Sequence, residues 1–115
     1  GGKMSSYKLH TFRTDGSIKS DPYKMKPTFE DMYKEIDCRM IERTTGYLPK
    51  YSNRKDGYTD LWMDEESKLK HPFIINRKIT DAWHKWAKKT GHQIIPGDFI
   101  AGHVCVIQKV QDDAA

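Results

Sequence analysis

The sequence predicts a single α+β domain in which two helices pack on a mainly antiparallel sheet. Short apolar or alternating segments separated by turn residues are typical of strands joined by hairpins, and two longer segments have the apolar spacing of capped helices. A chain of 115 residues is large enough for one hydrophobic core but not for two. We expect residues 7–109 to form this domain, residues 1–6 to be a disordered start that includes a cloning remnant, and residues 110–115 to be a flexible tail.

The first helix is predicted at residues 28–36. Thr28 is a suitable N-cap, and the carboxylates in the first turn interact favourably with the positive end of the helix dipole. Apolar residues at helical spacing predict its buried face, which comprises Phe29, Met32, Tyr33 and Ile36. Before this helix, alternation predicts a strand at residues 7–13, whereas residues 18–27, with two prolines, are predicted to form a loop or an edge excursion.

Two strands are predicted in the middle of the chain. The first covers residues 37–43, with Cys38 and Met40 on one face, and is expected to end at residues 44–46. The second covers residues 58–63 and follows an Asp-Gly pair, which is a strong hairpin signal.

The second helix is predicted at residues 76–90, with Asn76 as its N-cap and Gly91 after its last turn. Its apolar face is expected to place both tryptophans in the core and comprises Ile79, Ala82, Trp83, Trp86 and Thr90. Its solvent side carries Arg77, Lys78, Lys85, Lys88 and Lys89. The last strand, at residues 99–109, is apolar on both faces, which predicts a central position in the sheet.

Composition excludes several protein classes. No apolar run approaches the ~20 residues of a membrane-spanning helix, so no membrane association is expected. Cys38 and Cys105 are far apart and lie among apolar residues, which favours two buried, unlinked thiols and a cytoplasmic location. The net charge of +4 permits an anionic partner without requiring one.

The residues that could support catalysis or metal binding form no known pattern. The acidic group Asp60, Asp64, Glu65 and Glu66 has the oxygen ligands of a divalent-cation site but lacks EF-hand spacing, so an ordinary acidic turn is the simpler interpretation. His103 interrupts the last apolar strand and is more typical of a hydrogen-bonded strand histidine than of a catalytic one. Phosphate-binding glycine loops and serine or cysteine nucleophile motifs are absent. We therefore predict no catalytic residue, no metal site and no cofactor.

Basic residues provide the main functional hint. In the segment 47–57, which looks the least ordered, aromatic and basic side chains alternate as in sites that stack bases and neutralise phosphates: Tyr47, Lys50, Tyr51, Arg54 and Lys55. Secondary candidates are Lys85, Lys89 and His103. An ordinary solvated hairpin loop remains an alternative for the segment, and cations near the end of a helix also stabilise its dipole.

The chain also resembles a family of small domains of unknown function found mainly in bacteriophages and bacterial mobile elements. The resemblance covers residues 7–109 and rests on Asp64-Glu65 followed by Leu69, on Asn76-x-x-x-Thr80, and on Gly97-Asp98. Such proteins usually carry Asn-Glu or Asp-Glu and then Gly, where this chain has Glu66 and Ser67. The resemblance implies a phage-type accessory protein that acts in the host cytoplasm, and it assigns no catalytic residue.

These observations lead to two main hypotheses. The first is a non-enzymatic binding protein for a host protein or for a small anionic, nucleotide-like ligand. The alternative is a nucleic-acid-binding module that uses the loop 47–57. An enzyme would require a convergent site that the sequence does not display.

Overall fold

A computed structural model describes residues 4–112, with side chains described for residues 6–110. The domain has the predicted α+β architecture. Its five strands are antiparallel to their neighbours in the order β2-β1-β5-β4-β3: β1 (Met4–Phe12), β2 (Ile18–Tyr23), β3 (Ile41–Tyr47), β4 (Tyr58–Asp64) and β5 (Val104–Asp112). Two helices complete it, α1 (Phe29–Ile36) and α2 (Arg77–Thr90), with short 3-10 turns at Pro49–Tyr51 and Ser67–Leu69. Neither helix in the described part of the chain has the length and hydrophobicity needed to cross a membrane.

The last strand lies at the centre of the sheet, as its two apolar faces predict. β5 pairs with β1 along its whole length, but it pairs with β4 only through Cys105 and Val104. Val104 and Val106 belong to one core cluster and Cys105 to another, so the two faces of β5 contribute to separate cores.

The two helices cover opposite faces of the sheet. On the α2 side, the buried cluster comprises Phe12, Leu61, Met63, Ile79, Ile100, Val104 and Val106. On the α1 side it is smaller and comprises Leu9, Met32, Ile36 and Cys105. The resulting helix–sheet–helix arrangement leaves much more of the α1 side without a covering helix, because α1 has only eight residues.

Both predicted helix caps are confirmed. The backbone N–H of Asp31 donates to Thr28 Oγ1 (3.2 Å), and the N–H of Thr28 donates to Asp31 Oδ2 (2.8 Å), which forms a capping box. Asn76 Oδ1 accepts from the N–H of Ile79, while Asn76 Nδ2 donates to the carbonyls of Phe12 (2.9 Å) and Gly102 (3.0 Å). The cap of α2 therefore also fixes that helix to β1 and to the segment before β5.

The predicted buried faces of the helices are only partly correct. Met32 and Ile36 are buried, but Phe29, in the first turn of α1, is 53% exposed and packs against Trp62 with its ring tilted by 57°. Trp83 and Trp86 are half-buried. The buried positions of α2 include the small residues Ala82 and Ala87. The indole of Trp83 packs against the α2-side cluster, whereas that of Trp86 packs against His92, 4.8 Å away between ring centroids.

The strand predicted at residues 37–43 is wrong in both bounds. Asp37 adopts a positive φ of 59° and ends α1, so that Cys38 lies in a connection and β3 starts only at Ile41. Met40 is 46% exposed. The strand then continues through Gly46, where a Cβ atom would lie 2.7 Å from Leu61 Cδ1. Glycine at this position permits close packing and does not end the strand.

The edges and ends of the sheet also differ from the sequence interpretation. Residues 18–23 form the edge strand β2, where Pro22 is tolerated because an edge strand needs fewer ladder donors. β5 starts at Val104 and not at residue 99, because Gly102 turns the chain with a φ of 84°. Residues 1–3 and 113–115, parts of the predicted disordered start and flexible tail, lie outside the described residues, but β1 already begins at Met4 and β5 extends to Asp112.

Candidate binding surface

The two thiols lack the properties of nucleophiles. Cys105 is fully buried, and burial raises the pKa of its thiol to about 12. Burial, followed by the nearby carboxylate of Asp64, also raises the pKa of Cys38. Both cysteines are unlinked. Because the thiolate is the reactive form, neither side chain is activated at neutral pH.

His103 and the acidic turn have structural partners. The backbone N–H of Thr14 donates to His103 Nδ1 (3.2 Å), which links the turn after β1 to the segment before β5. Asp64 is buried and pairs with Lys70 Nζ at 2.6 Å. Within residues 6–110, no group of three or more histidine, cysteine or acidic side chains has an arrangement that could hold a metal ion.

The segment at residues 48–57 is firmly attached to the sheet, in contrast to the mobile loop that the sequence suggested. The side chain of Asn53 forms a pair of hydrogen bonds with the backbone of Lys109, donating to its carbonyl (2.6 Å) and accepting from its N–H (2.8 Å). This amide occupies the position of a strand partner where β4 and β5 no longer pair. Ser52 Oγ donates to the carbonyl of Tyr58 (2.5 Å) and closes the hairpin.

Tyr51 is part of this attachment. The sequence had suggested that its ring is free to stack on a base, and the structure contradicts this. Its ring packs edge-on against His10 (4.8 Å between centroids) and Phe12 (5.0 Å). Gln108 Nε2 donates to the carbonyl of Lys50, while Gln108 Oε1 accepts from His10 Nε2 (2.8 Å). Burial lowers the pKa of His10, an effect only partly opposed by this hydrogen bond.

The structure joins two of the sequence-predicted groups into one arrangement, here called the aromatic–basic surface: Tyr47, Arg54, Tyr58 and Lys89. Lys89 Nζ of α2 lies 4.7 Å from the ring centroid of Tyr47. The Tyr47 ring packs edge-on against Tyr58 at 6.0 Å, and the Arg54 guanidinium lies 6.0 Å from the centroid of Tyr58. Arg54 also pairs with Asp56 at 2.6 Å. The other predicted cations are exposed and take no part in these contacts: Lys50, Lys55 and Lys85.

A groove of about 290 Å³ lies beside this surface, on the α1 side of the sheet. Its lining, here called the Trp62 groove, combines aromatic and apolar residues with two lysines and one carboxylate: Tyr7, Trp62, Ile107, Lys26, Lys109 and Asp60. It also includes Asn53 and Thr59, so it adjoins the attached loop. Asp60 is paired with Arg43 at 3.2 Å.

A larger groove of about 540 Å³, on the α2 side, is less suited to an anion. It is lined by Trp83, Phe99 and several carboxylates, and Lys68 already lies within it. Lys68 Nζ pairs with Asp98 at 2.5 Å and lies 4.5 Å from the Phe99 ring centroid. Burial and the nearby Glu65 raise the pKa of Glu42 in the same groove.

An exposed apolar segment begins at the last residue of the second 3-10 turn. Leu69 is 75% exposed and Ile74 is 59% exposed, and Phe73 and Ile75 are also exposed. Four exposed apolar side chains within residues 69–75 favour a surface that contacts another protein.

The sequence interpretation missed four contributors: Tyr58, Trp62, Lys26 and Lys109. Tyr58 and Trp62 could have been found from the sequence. Together with Asp60 they occupy every second position of a predicted strand, and such residues share one face of the sheet. Lys26 and Lys109 come from distant parts of the chain and only the fold brings them together. Comparison with protein-family models, curated proteins and solved structures finds no match for this chain.

Proposed function

We propose that this protein is a non-enzymatic binding protein for a small anionic, nucleotide-like ligand, held at the aromatic–basic surface. The observation that carries the proposal is the sequence of contacts from Lys89 through the two tyrosine rings to Arg54. Tyrosine faces stack on bases, and adjacent cations neutralise phosphate. The arrangement therefore offers both interactions that a nucleotide requires.

The attachment of the loop supports the same proposal. Binding is weakened by the entropy lost when a mobile site becomes ordered, and the hydrogen bonds of Asn53 and Ser52 already hold this segment in place. The ligand would thus meet a surface whose backbone needs little rearrangement. Only the long cationic side chains would lose freedom on binding.

The proposal is tested by titrating the protein with AMP at low ionic strength and following amide chemical shifts. Replacing Arg54 and Lys89 with serine should weaken binding, because both cations flank the tyrosine pair. The matched control replaces Arg77 and Lys78, two exposed cations at the other end of α2, and should bind AMP like the parent. Absence of AMP binding to the parent protein, or equal loss in the two double variants, would contradict the proposal.

A host protein is the second candidate ligand, and the exposed apolar segment favours it. We propose in addition that the chain acts as a phage-type accessory protein in the host cytoplasm; the short motifs Asp64-Glu65 and Asn76-x-x-x-Thr80 and the two unlinked cysteines motivate this. A host protein that binds to the immobilised parent chain should then fail to bind to the variant in which Leu69 and Ile74 are both replaced by serine. Retention of the same protein by that variant would exclude this segment as the contact.

A further inference from the structure

We infer that the Trp62 groove is a second base-binding subsite, so that the ligand of this protein is a single-stranded nucleic acid that runs across the α1 side of the sheet. This inference rests on the proposed function, because it assigns the aromatic–basic surface to one part of a longer ligand. It differs from that function in requiring the groove.

Strand register places the two sites on the same face. Tyr58 and Trp62 are four residues apart in β4, and alternate residues of a strand point to the same side. Trp62 packs with the α1-side core, so Tyr58 and its direct partner Tyr47 also face that side. Lys89 of α2 meets the Tyr47 ring at β3, which is the edge strand of the sheet. Tyr7 and Lys109 are directly opposite each other in β1 and β5 and share this face, since Leu9 and Ile107 next to them belong to the same core.

This face is open because α1 is short. Eight helical residues extend about 12 Å, whereas the nine residues of β5 extend about 30 Å. α1 covers the part of the sheet around Leu9 and Cys105. The Phe29 ring of α1 lies 5.5 Å from that of Trp62, but none of the described residues that line the groove belongs to a helix.

The groove has the composition expected for one nucleotide of a strand. Its volume of about 290 Å³ lies just below the ~300–1,000 Å³ typical of small-ligand sites, which suits one base rather than a larger ligand. Trp62 and Tyr7 provide aromatic surface, and Lys26 and Lys109 provide cations for phosphate. The one carboxylate in the lining, Asp60, is compensated by Arg43.

The distance between the two sites favours a single-stranded nucleic acid over a single nucleotide as the ligand. Four residues of β4 place Tyr58 and Trp62 about 13 Å apart, too far for one base to stack on both. Aromatic side chains on an open sheet reach the faces of bases only when those bases are unstacked from each other. A double helix would offer phosphates but no base faces, and the sites would then contribute only their cations.

The test measures fluorescence anisotropy of labelled oligothymidylate and oligouridylate of two and of about ten nucleotides, alongside the AMP titration. Affinity should rise with length in at least one series, and the series that binds more tightly identifies DNA or RNA as the source. Trp62→Leu should weaken binding of the longer strand by about fivefold or more while AMP binding stays unchanged. Trp86→Leu, at a half-buried indole on α2, is the matched control and should bind the longer strand like the parent.

A second pair of variants avoids dependence on the stability of the tryptophan variants. Replacing the exposed Lys26 and Lys109 with serine should weaken binding of the longer strand and reduce its salt slope by about 1.4, whereas Arg77 and Lys78 replaced together should not. If AMP binds but length, Trp62 and the lysine pair have no effect, the groove inference is wrong and the proposed function stands. If the open face instead mediates a dimer that Trp62→Leu dissociates, the face belongs to a second copy and the inference is overturned.

Discussion

His10 connects the sheet to the segment 48–57, which contributes Arg54 to the aromatic–basic surface. Gln108 Oε1 can only accept a hydrogen bond, so His10 Nε2 must donate to it, and His10 Nδ1 then accepts from Ser20 Oγ (2.7 Å). The other end of the Gln108 amide donates to the carbonyl of Lys50. A buried neutral imidazole thus sets the orientation of the amide that holds the loop.

This arrangement predicts a pH dependence of stability. Burial lowers the pKa of His10 in the folded protein below the ordinary histidine value of 6.5. As the pH falls below 6.5, the unfolded chain therefore binds more protons than the folded protein. The contribution of His10 is fully present above that pH and is lost as the pH falls towards the folded-state pKa. Urea unfolding from about pH 7.5 to about pH 5 should therefore show a steeper loss of stability in the parent than in His10→Gln. Parallel pH profiles would show that His10 titrates alike in both states.

The thiols make a second prediction at this scale. Cys105 is fully buried with a pKa raised to about 12, whereas Cys38 is half-buried, so both should react slowly with iodoacetamide and Cys105 more slowly than Cys38. The variants Cys38→Ala and Cys105→Ala isolate each thiol, and labelling in urea gives the unprotected rate. Fast labelling of Cys105 in the folded Cys38→Ala variant would contradict its place at the centre of the sheet.

At the scale of elements, the β3–β4 hairpin depends on one close contact. A Cβ atom at Gly46 would lie 2.7 Å from Leu61 Cδ1, and Leu61 is fully buried. Gly46→Ala should therefore lower the free energy of unfolding by about 1–3 kcal/mol, because a packed core does not accept an extra methyl group without strain.

A double-mutant cycle identifies the cause of that loss. Leu61→Ala removes the atoms that Gly46→Ala would meet, so Gly46→Ala should cost clearly less in the Leu61→Ala background than in the parent. Thr45→Ala, the adjacent residue of β3, is the control and should lack this coupling. Additive effects of Gly46→Ala and Leu61→Ala would mean that the cost arises from the backbone of β3.

The elements that the sequence predicted well are those defined by local interactions. The caps at Thr28 and Asn76 bond within three residues of themselves, and the two-sided apolar pattern of β5 is local to that strand. The errors occur where distant packing decides. Gly46 resembles a strand terminator until Leu61 is placed beside it, and only the packing of α2 on the sheet distinguishes Trp83, which packs against the core, from Trp86, which packs against His92.

The candidate site was predictable to a similar degree. The loop cations and Tyr47 could be selected from their alternation, and Lys89 from its helix face, but their contact depends on α2 packing near the end of β3. Tyr51 had the same local signal as Tyr47, and only the fold distinguishes the ring that packs against Phe12 from the one that faces a lysine. Sequence spacing identifies residue types suited to a site, whereas packing decides which of them are available.

At the scale of the whole molecule, the distribution of charge matters more than its sum. The net charge is +4, and many of the cations form ion pairs, including Lys68 with Asp98 and Lys70 with Asp64. The loop cations Lys50, Arg54 and Lys55 lie in the segment 48–57, and Arg54 belongs to the aromatic–basic surface. If these cations attract a single-stranded nucleic acid, its association rate should depend on where the charges lie and not only on their sum.

Two triple variants with equal net charge separate these effects. The loop variant has serine in place of Lys50, Arg54 and Lys55, and the second variant has serine in place of Lys34, Arg77 and Lys78. Each variant loses three exposed cations, which lowers the formal net charge from +4 to +1. We expect the loop variant to bind an oligothymidylate of about ten nucleotides more weakly, with a slower association rate and a salt slope reduced by about 2. The second variant should retain most of the parent affinity and slope. Stopped-flow association over a range of salt concentrations measures both quantities. Equal losses in the two variants would show that the protein attracts the strand through its net charge, and that the loop has no particular part in binding.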